Sequence, residues 1–281
     1  MMRVTLFGTR GSLATPGADT AQFGGNTSSV EVRESDGTIL VLDAGTGIRR
    51  LGAQIPLGVR RIDILLTHLH MDHIQGLGSF GPLYNPAMNV HIWGPASSTQ
   101  SLGARLARYL SPPLFPVHLR DLPNLTCHHV PCPPFEIGPF RLQAALVCHP
   151  GPTVGYRIES ESGILVYMPD HEPALALSDD HWLEPEWTSG YELAVGADLL
   201  IHDAQYTDDE YQRRVGWGHS SYRHAFAFAN KVGAKQLVPF HHDPSHDDLA
   251  LGRLVESAKQ DYAPRFQVSA GCEGATFEVG G

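Results

Sequence analysis

Residues 64–76 read ILLTHLHMDHIQG and gather His68, His70, Asp72 and His73 within six positions, directly behind an apolar run. Imidazole nitrogens and carboxylate oxygens are the donors that zinc accepts, at about 2.0–2.2 Å. Leaving a strand, His68 and His70 alternate in step and point to one side. Asp72 and His73 follow in the turn and can face a neighbouring point. One ion takes three or four ligands, so four donors split between two directions suit a metal site. A solvated His-rich loop is the rival reading, and it fits poorly with a segment that follows a buried strand.

Composition points the same way. Sixteen histidines stand against four cysteines, which favours imidazole over thiolate chemistry. Cys127, Cys132, Cys148 and Cys272 show no C-x-x-C pair, and CHHVPC at 127–132 matches no common structural zinc spacing. It reads as a strand edge with two small buried thiols. With 281 residues and 42% hydrophobic residues, a core of useful size is available without disulfides. Twenty Lys and Arg against thirty Asp and Glu give a formal net charge of −10, which argues against nucleic acid as a partner. No segment reaches the roughly 20 apolar residues of a membrane span, and MMRVTLFG carries no cleavage signature. A cytoplasmic location is the expectation.

The elements that must position the cluster alternate along the chain. RVTLF at 3–7 is a strand, followed by the Gly-rich loop GTRGSLATPG. SSVEVRES and TILVLDAG flank Asp36-Gly37 and predict a hairpin. GIRRLGAQI predicts a short helix, RIDILLT a buried strand and NVHIW another strand. Residues 94–139 are rich in Pro and poor in periodicity apart from a helix near 99–110, and read as an insertion or lid. FRLQAALV, VGYRIES, GILVYM and ADLLIHD are further strands. SSYRHAFAFANKVG repeats apolar residues at 225, 228, 229 and 232 and ends at Gly233, as a helix should. QLVPFHH returns to strand, and SHDDLALGRLVESAK is a helix with Ser245 as its expected cap. Two packed sheets with helices outside, in one domain over 1–281, is the arrangement these elements predict.

T-H-x-H-x-D-H after an apolar strand resembles the signature of the metallo-β-lactamase superfamily. Four further motifs fall in the expected order: LDAGTG at 42–47, His149 in LVCHPGPTVGYRI, Asp170 in GILVYMPD and His241 in KQLVPFHHDP. GTRGS, with GGNTSSVEV behind it, and GHSS at 218–221 are similar to the phosphodiesterase branch, which includes ribonuclease Z, the cyclic phosphodiesterase of phosphonate breakdown and cyclic-nucleotide phosphodiesterases. The resemblance implies an α/β fold, an αββα sandwich of two mixed sheets with outer helices. It also implies two divalent ions, with zinc as the default and manganese or iron as substitutes. His68, His70 and His149 would hold one ion, Asp72, His73 and His241 the other, and Asp170 would bridge them. Two such cations less Asp72, Asp170 and a hydroxide leave a net charge of about +1, suited to an anionic diester. The family's chemistry implies in-line attack of a metal-bridging hydroxide, with Asp72 steering the nucleophile and His219 donating a proton to the leaving oxygen.

Other residues carry weaker expectations. Asp43 could hydrogen-bond a ligand histidine or simply stabilise its turn. Arg10 reads first as a structural arginine, with a phosphate contact as the alternative. His171 and His202 read as structural, and strand alternation lets only one of His241 and His242 face the metals. Ribonuclease Z carries a long basic arm after the motif that holds its equivalent of His149, whereas here twenty residues separate His149 from Asp170. That interval and the acidic balance set tRNA aside in favour of a small phosphodiester such as a cyclic nucleotide, with Tyr109 and Phe115 available to stack on a base. A hydrolase of carboxylic esters, thioesters or lactones, or a non-catalytic binding protein, are the alternatives. The resemblance also allows a homodimer.

Overall fold

The alternating apolar strands in both halves of the chain have two faces to bury, and the chain does so by stacking one sheet on another with helices outside. The structure, a computed structural model, describes residues 1–173 and 187–280. Its strands are β1 (Met2–Gly8), β2 (Ser29–Arg33), β3 (Ile39–Leu42), β4 (Arg61–Leu65), β5 (Asn89–Gly94), β6 (Leu125–His129), β7 (Phe135–Ile137), β8 (Phe140–Leu146), β9 (Val154–Ser160), β10 (Gly163–Met168), β11 (Leu199–Asp203), β12 (Gln236–Phe240), β13 (Gln267–Val268) and β14 (Thr276–Val279). They form two sheets, ordered β14-β1-β2-β3-β4-β5-β6 and β13-β12-β11-β10-β9-β8-β7. Both sheets are mixed: β3 to β6 run parallel, as do β10 to β13, and the remaining pairs are antiparallel.

Period-two alternation sorts the side chains. Leu6, Val30, Leu42 and Leu65 of the first sheet meet Tyr156, Leu165, Ile201 and Phe240 of the second in the central layer. Ile62 and Ile64 on the opposite face of β4 pack outward with Leu51 of helix α1 (Ile48–Gly52). Behind the second sheet, Leu200 and Leu237 meet Phe228 and Val255 from the outer helices. Three apolar layers alternating with two sheets make the αββα sandwich.

The expected hairpin is present, with Gly37 in the left-handed region at φ 89°. Helix α2 (Met71–Ile74) is a single turn that opens at His70, and α3 (Leu102–Leu106) falls within the helix expected near 99–110, capped by Ser101. The rest of the Pro-rich stretch differs from an inserted lid, because it supplies β6 and β7, the edge strands of the two sheets. Short edge strands with Pro at their ends carry too few residues for a period to show. Cys127 lies half-buried on edge strand β6, while Cys132 beyond it is exposed rather than buried. Helices α4 (Tyr191–Ala194) and α5 (Asp208–Gln212) are short. Helix α6 (Tyr222–Val232) buries Ala225, Phe228, Ala229 and Val232 and ends at Gly233 with φ 66°. Helix α7 (Asp248–Tyr262) begins two residues later than expected: the cap is Asp247, which accepts from Ala250 N–H, while Ser245 bonds Asp243. No helix among the described residues is long and apolar enough to cross a membrane.

Candidate metal centre

The site lies where strands of both sheets end. His68 and His70 leave β4, and Asp72 and His73 occupy the one-turn helix α2. His149 follows β8, Asp170 follows β10, and His241 follows β12. Strand ends are where a sheet releases side chains from its layers without breaking its ladder, so distant segments can meet there.

The structure brings all seven of these residues together. His68, His70 and His149 form one group, and Asp72, His73, Asp170 and His241 another, with donor atoms in each within 4.8 Å of one another. Asp170 faces both. Its Oδ1 lies 3.0 Å from His73 Nε2 and 3.4 Å from His241 Nε2, while its Oδ2 lies 3.8 Å from His68 Nε2 and 3.7 Å from His149 Nε2. Asp72 Oδ2 is 3.1 Å from His241 Nε2 and accepts the Ser12 backbone N–H at 2.7 Å.

The donor set fits divalent metal ions. Asp170 Oδ1 and His68 Nε2 are buried without a hydrogen-bond partner, which a folded chain tolerates rarely. Bare nitrogens also face each other: His73 Nε2 is 3.3 Å from His241 Nε2, and His149 Nε2 is 3.2 Å from His70 Nδ1. In three of these rings the far nitrogen is already committed. His73 Nδ1 donates to Asp43 Oδ2 at 2.8 Å, His149 Nδ1 to the Gly218 carbonyl at 2.8 Å, and His241 Nδ1 to Gln205 Oε1 at 3.0 Å. With Nδ1–H donating, each Nε2 turns its lone pair inward, the tautomer that a metal requires.

Electrostatics agree for most of the donors; at His73 burial is outweighed by Asp170, Asp72 and Asp43, which raise it well above the usual imidazole range while no cation shares those carboxylates. Burial opposes ionisation of Asp72 and Asp170, but the surrounding imidazoles outweigh it and hold both carboxyls below their usual range. Burial, with neighbouring histidines adding to it, pushes His68 well down, and burial also lowers His149 despite the Asp170 charge. Neutral imidazole and ionised carboxylate are the ligand forms.

His219 stands at the rim, stacked on His241 at 5.0 Å and edge-on to His149 at 4.9 Å. Its Nδ1 is 2.7 Å from Asp203 Oδ2. Burial opposes its charge, yet Asp203, with Asp170 and Asp72 behind it, raises its pKa to about 9. Asp43 bonds His73 and also accepts from Thr67 N–H and Tyr167 O–H, so it orients that imidazole and ties its own turn as well. His242 turns away, donating Nε2–H to the Gly271 carbonyl. His171 and His202 are buried and bonded to each other at 2.9 Å. Arg10 is fully buried and donates from Nε and Nη1 to the carbonyls of Gly24, Asp243 and His246, which makes it structural. Tyr109 and Phe115 pack against the segment behind α2, where Tyr109 O–H donates to the Gln75 carbonyl.

Three site residues escaped the sequence reading. Asp203 ends the apolar strand β11, just as Asp170 ends the run before it, and that parallel could have found it. Gln205 and Glu172 gave no local signal.

Residues 38–242 match the family model described as the β-lactamase superfamily domain. The chain belongs to the β-lactamase superfamily. A ribonuclease Z of Myxococcus xanthus is 26% identical, over 99% of this chain and 98% of that relative. Among solved structures, a diphosphatase of the PhnP family superposes with a TM-score of 0.67 at 19% identity, covering 99% of this chain and 98% of its own. The short form of human tRNase Z gives 0.65 at 21%, covering 99% of each chain. These structures share the fold.

One expectation is overturned. The interval after His149 and the net charge were read against tRNA, yet a relative aligned along nearly the whole chain is a ribonuclease Z. Net charge sums over the entire surface and does not describe the local field where a substrate meets its site.

Proposed function

We propose that this chain hydrolyses phosphodiesters of nucleotides at a two-ion centre. It is a metal-dependent hydrolase of the β-lactamase superfamily, so the reading concerns which bond it breaks. The observation that carries the two-ion centre is the Asp170 carboxylate, which turns one oxygen to His73 and His241 and the other to His68 and His149. His68, His70 and His149 would hold one ion, and Asp72, His73 and His241 the second, with Asp170 shared. Such ions, zinc by default, neutralise phosphoryl charge and make water nucleophilic near neutral pH.

The chain's own groups supply orientation and a proton. Ser12 N–H donates to Asp72, so its carboxylate keeps one direction at the mouth. Asp203 takes the Nδ1 side of His219, which leaves His219 Nε2 as the atom that can give a proton to a departing alkoxide. Glu172 accepts the N–H groups of Gly216 and Gly218 and so fixes the loop that carries His219. Cys127, Cys132, Cys148 and Cys272 are all free, which supports a reducing cytoplasm.

The name of the full-length relative makes RNA the first substrate to test, and cyclic nucleotides the second. The experiment is turnover of bis-p-nitrophenyl phosphate, precursor tRNA and cyclic nucleotides beside a panel of lactones and thioesters. Cleavage of phosphodiesters with little lactone or thioester turnover is expected. The reverse preference would contradict the reading.

A further inference from the structure

Two residues just before His219 have no part in the centre described above. Trp217 is 59% exposed, a large apolar ring left in water at the edge of a buried polar site. Arg214 holds its guanidinium 4.8 Å above the ring of Tyr206 and 6.0 Å from that of Trp217. Tyr206 in turn meets His219 edge-on at 5.8 Å. A single buried ring therefore separates the Arg214 cation from His219. Among the described residues Arg214 has no ion-pair partner, although the chain carries thirty acidic side chains.

The loop presenting this pair is fixed rather than free. The buried Glu172 carboxylate accepts from Gly216 N–H at 2.8 Å, Gly218 N–H at 2.7 Å and Tyr211 O–H at 2.8 Å. Trp217 N–H closes the turn onto the Arg214 carbonyl at 3.0 Å. The Gly218 carbonyl, one residue on, accepts from His149. Trp217 and Arg214 are thus set at a constant distance from the ligand cluster through Glu172, two residues beyond Asp170.

We infer that Trp217 and Arg214 form a nucleotide subsite at the mouth of the metal centre. In it the indole stacks on the base next to the reacting phosphate, and the guanidinium meets that nucleotide's other phosphate. Every base offers a face to an aromatic ring, so stacking tolerates sequence. A guanidinium braced on aromatic rings keeps its N–H donors at one side, and phosphate oxygens are their natural acceptors. The subsite rests on the phosphodiester reading for its reacting phosphate. It adds that the substrate is a nucleotide carrying a second phosphate, as every internal nucleotide of an RNA does. The rival account is that Arg214 merely clamps Tyr206 against His219.

Calorimetric binding to the metal-loaded protein separates the two. The probes are adenosine 5′-monophosphate, adenosine 3′,5′-bisphosphate and ribose 5-phosphate, none of which contains a phosphodiester. Trp217→Ala is expected to weaken the monophosphate by roughly 10-fold. It should weaken ribose 5-phosphate far less, and Trp217→Phe should restore much of the loss. Arg214→Ala should weaken the bisphosphate by about 10-fold more than the monophosphate, with partial recovery in Arg214→Lys. Equal loss on all three probes, or none, would overturn the subsite, and equal loss on the two nucleotides in Arg214→Ala would favour the Tyr206 clamp. Wild-type turnover of phosphodiesters is scored separately. Binding as expected with no diester cleaved would leave the subsite standing and remove the reaction. Cleavage with binding indifferent to both variants would do the opposite.

Discussion

At the scale of residues, the site is a set of groups each held by a partner outside it. Asp43 shows what that support is worth. Its carboxylate takes His73 Nδ1, Thr67 N–H and Oγ1–H, and Tyr167 O–H, all in a buried position. Asp43→Asn would set an amide where His73 needs an acceptor, and the ring would lose its tautomer and orientation. Metal affinity should fall about 10- to 100-fold, read by competition with a chromophoric chelator; unchanged affinity would mean that Asp43 only ties its turn. His219 calls for a different measurement, since it stands outside the seven proposed ligands. His219→Ala should retain its metal while turnover falls by roughly 10²- to 10⁴-fold. The loss should be largest for an alkoxide leaving group and smallest for p-nitrophenolate, which scarcely needs a proton. Equal losses on both would assign His219 to phosphate positioning, and loss of metal would make it a ligand.

At the scale of elements, short motifs join segments that are far apart in the chain. In GTRGS, a Cβ on Gly11 would come within 2.3 Å of His241 Nδ1; in GHSS, a Cβ on Gly218 would come within 2.4 Å of His149 Nδ1. Gly218 also has φ 88°, where a side chain is strained. The glycines are there so that two loops can pass directly behind the imidazoles of His241 and His149. Gly218→Ala should therefore displace His149, and metal content and turnover should fall together while the far-UV dichroism stays that of wild type. Full metal content in that variant would count against the close approach. These motifs were legible because each is local: a turn, a strand end, a helix start. Apolar runs announced β4, β10 and β12 and with them the positions of His68, Asp170 and His241. Gln205 and Glu172 were not legible, because their roles come from contacts with residues 36 and 44 to 46 positions away. β7 was missed and β6 was read only as a strand edge at 127–132 for a related reason, since an edge strand of three to five residues is defined by its neighbour more than by its own pattern.

At the scale of the whole molecule, the centre is a seam. Its residues come from both sheets, so ions held there would cross-link the two halves of the sandwich. Without them, two buried carboxylates and five imidazoles are left with imperfect partners. Binding only to the folded state adds about 4 kcal/mol when free ion is 1,000 times its Kd. For a chain of this size that corresponds to a rise of roughly 10 °C in Tm. A chelator should therefore lower the melting temperature by that order, and identical melting with and without it would show that no ion links the sheets. The two-ion centre itself is tested most directly by elemental analysis of fully loaded protein, wild type beside Asp170→Ala. The account predicts two divalent ions per chain in the wild type and the loss of at least one when the carboxylate facing both groups is removed. One ion or none in the wild type, or two retained in Asp170→Ala, would contradict it.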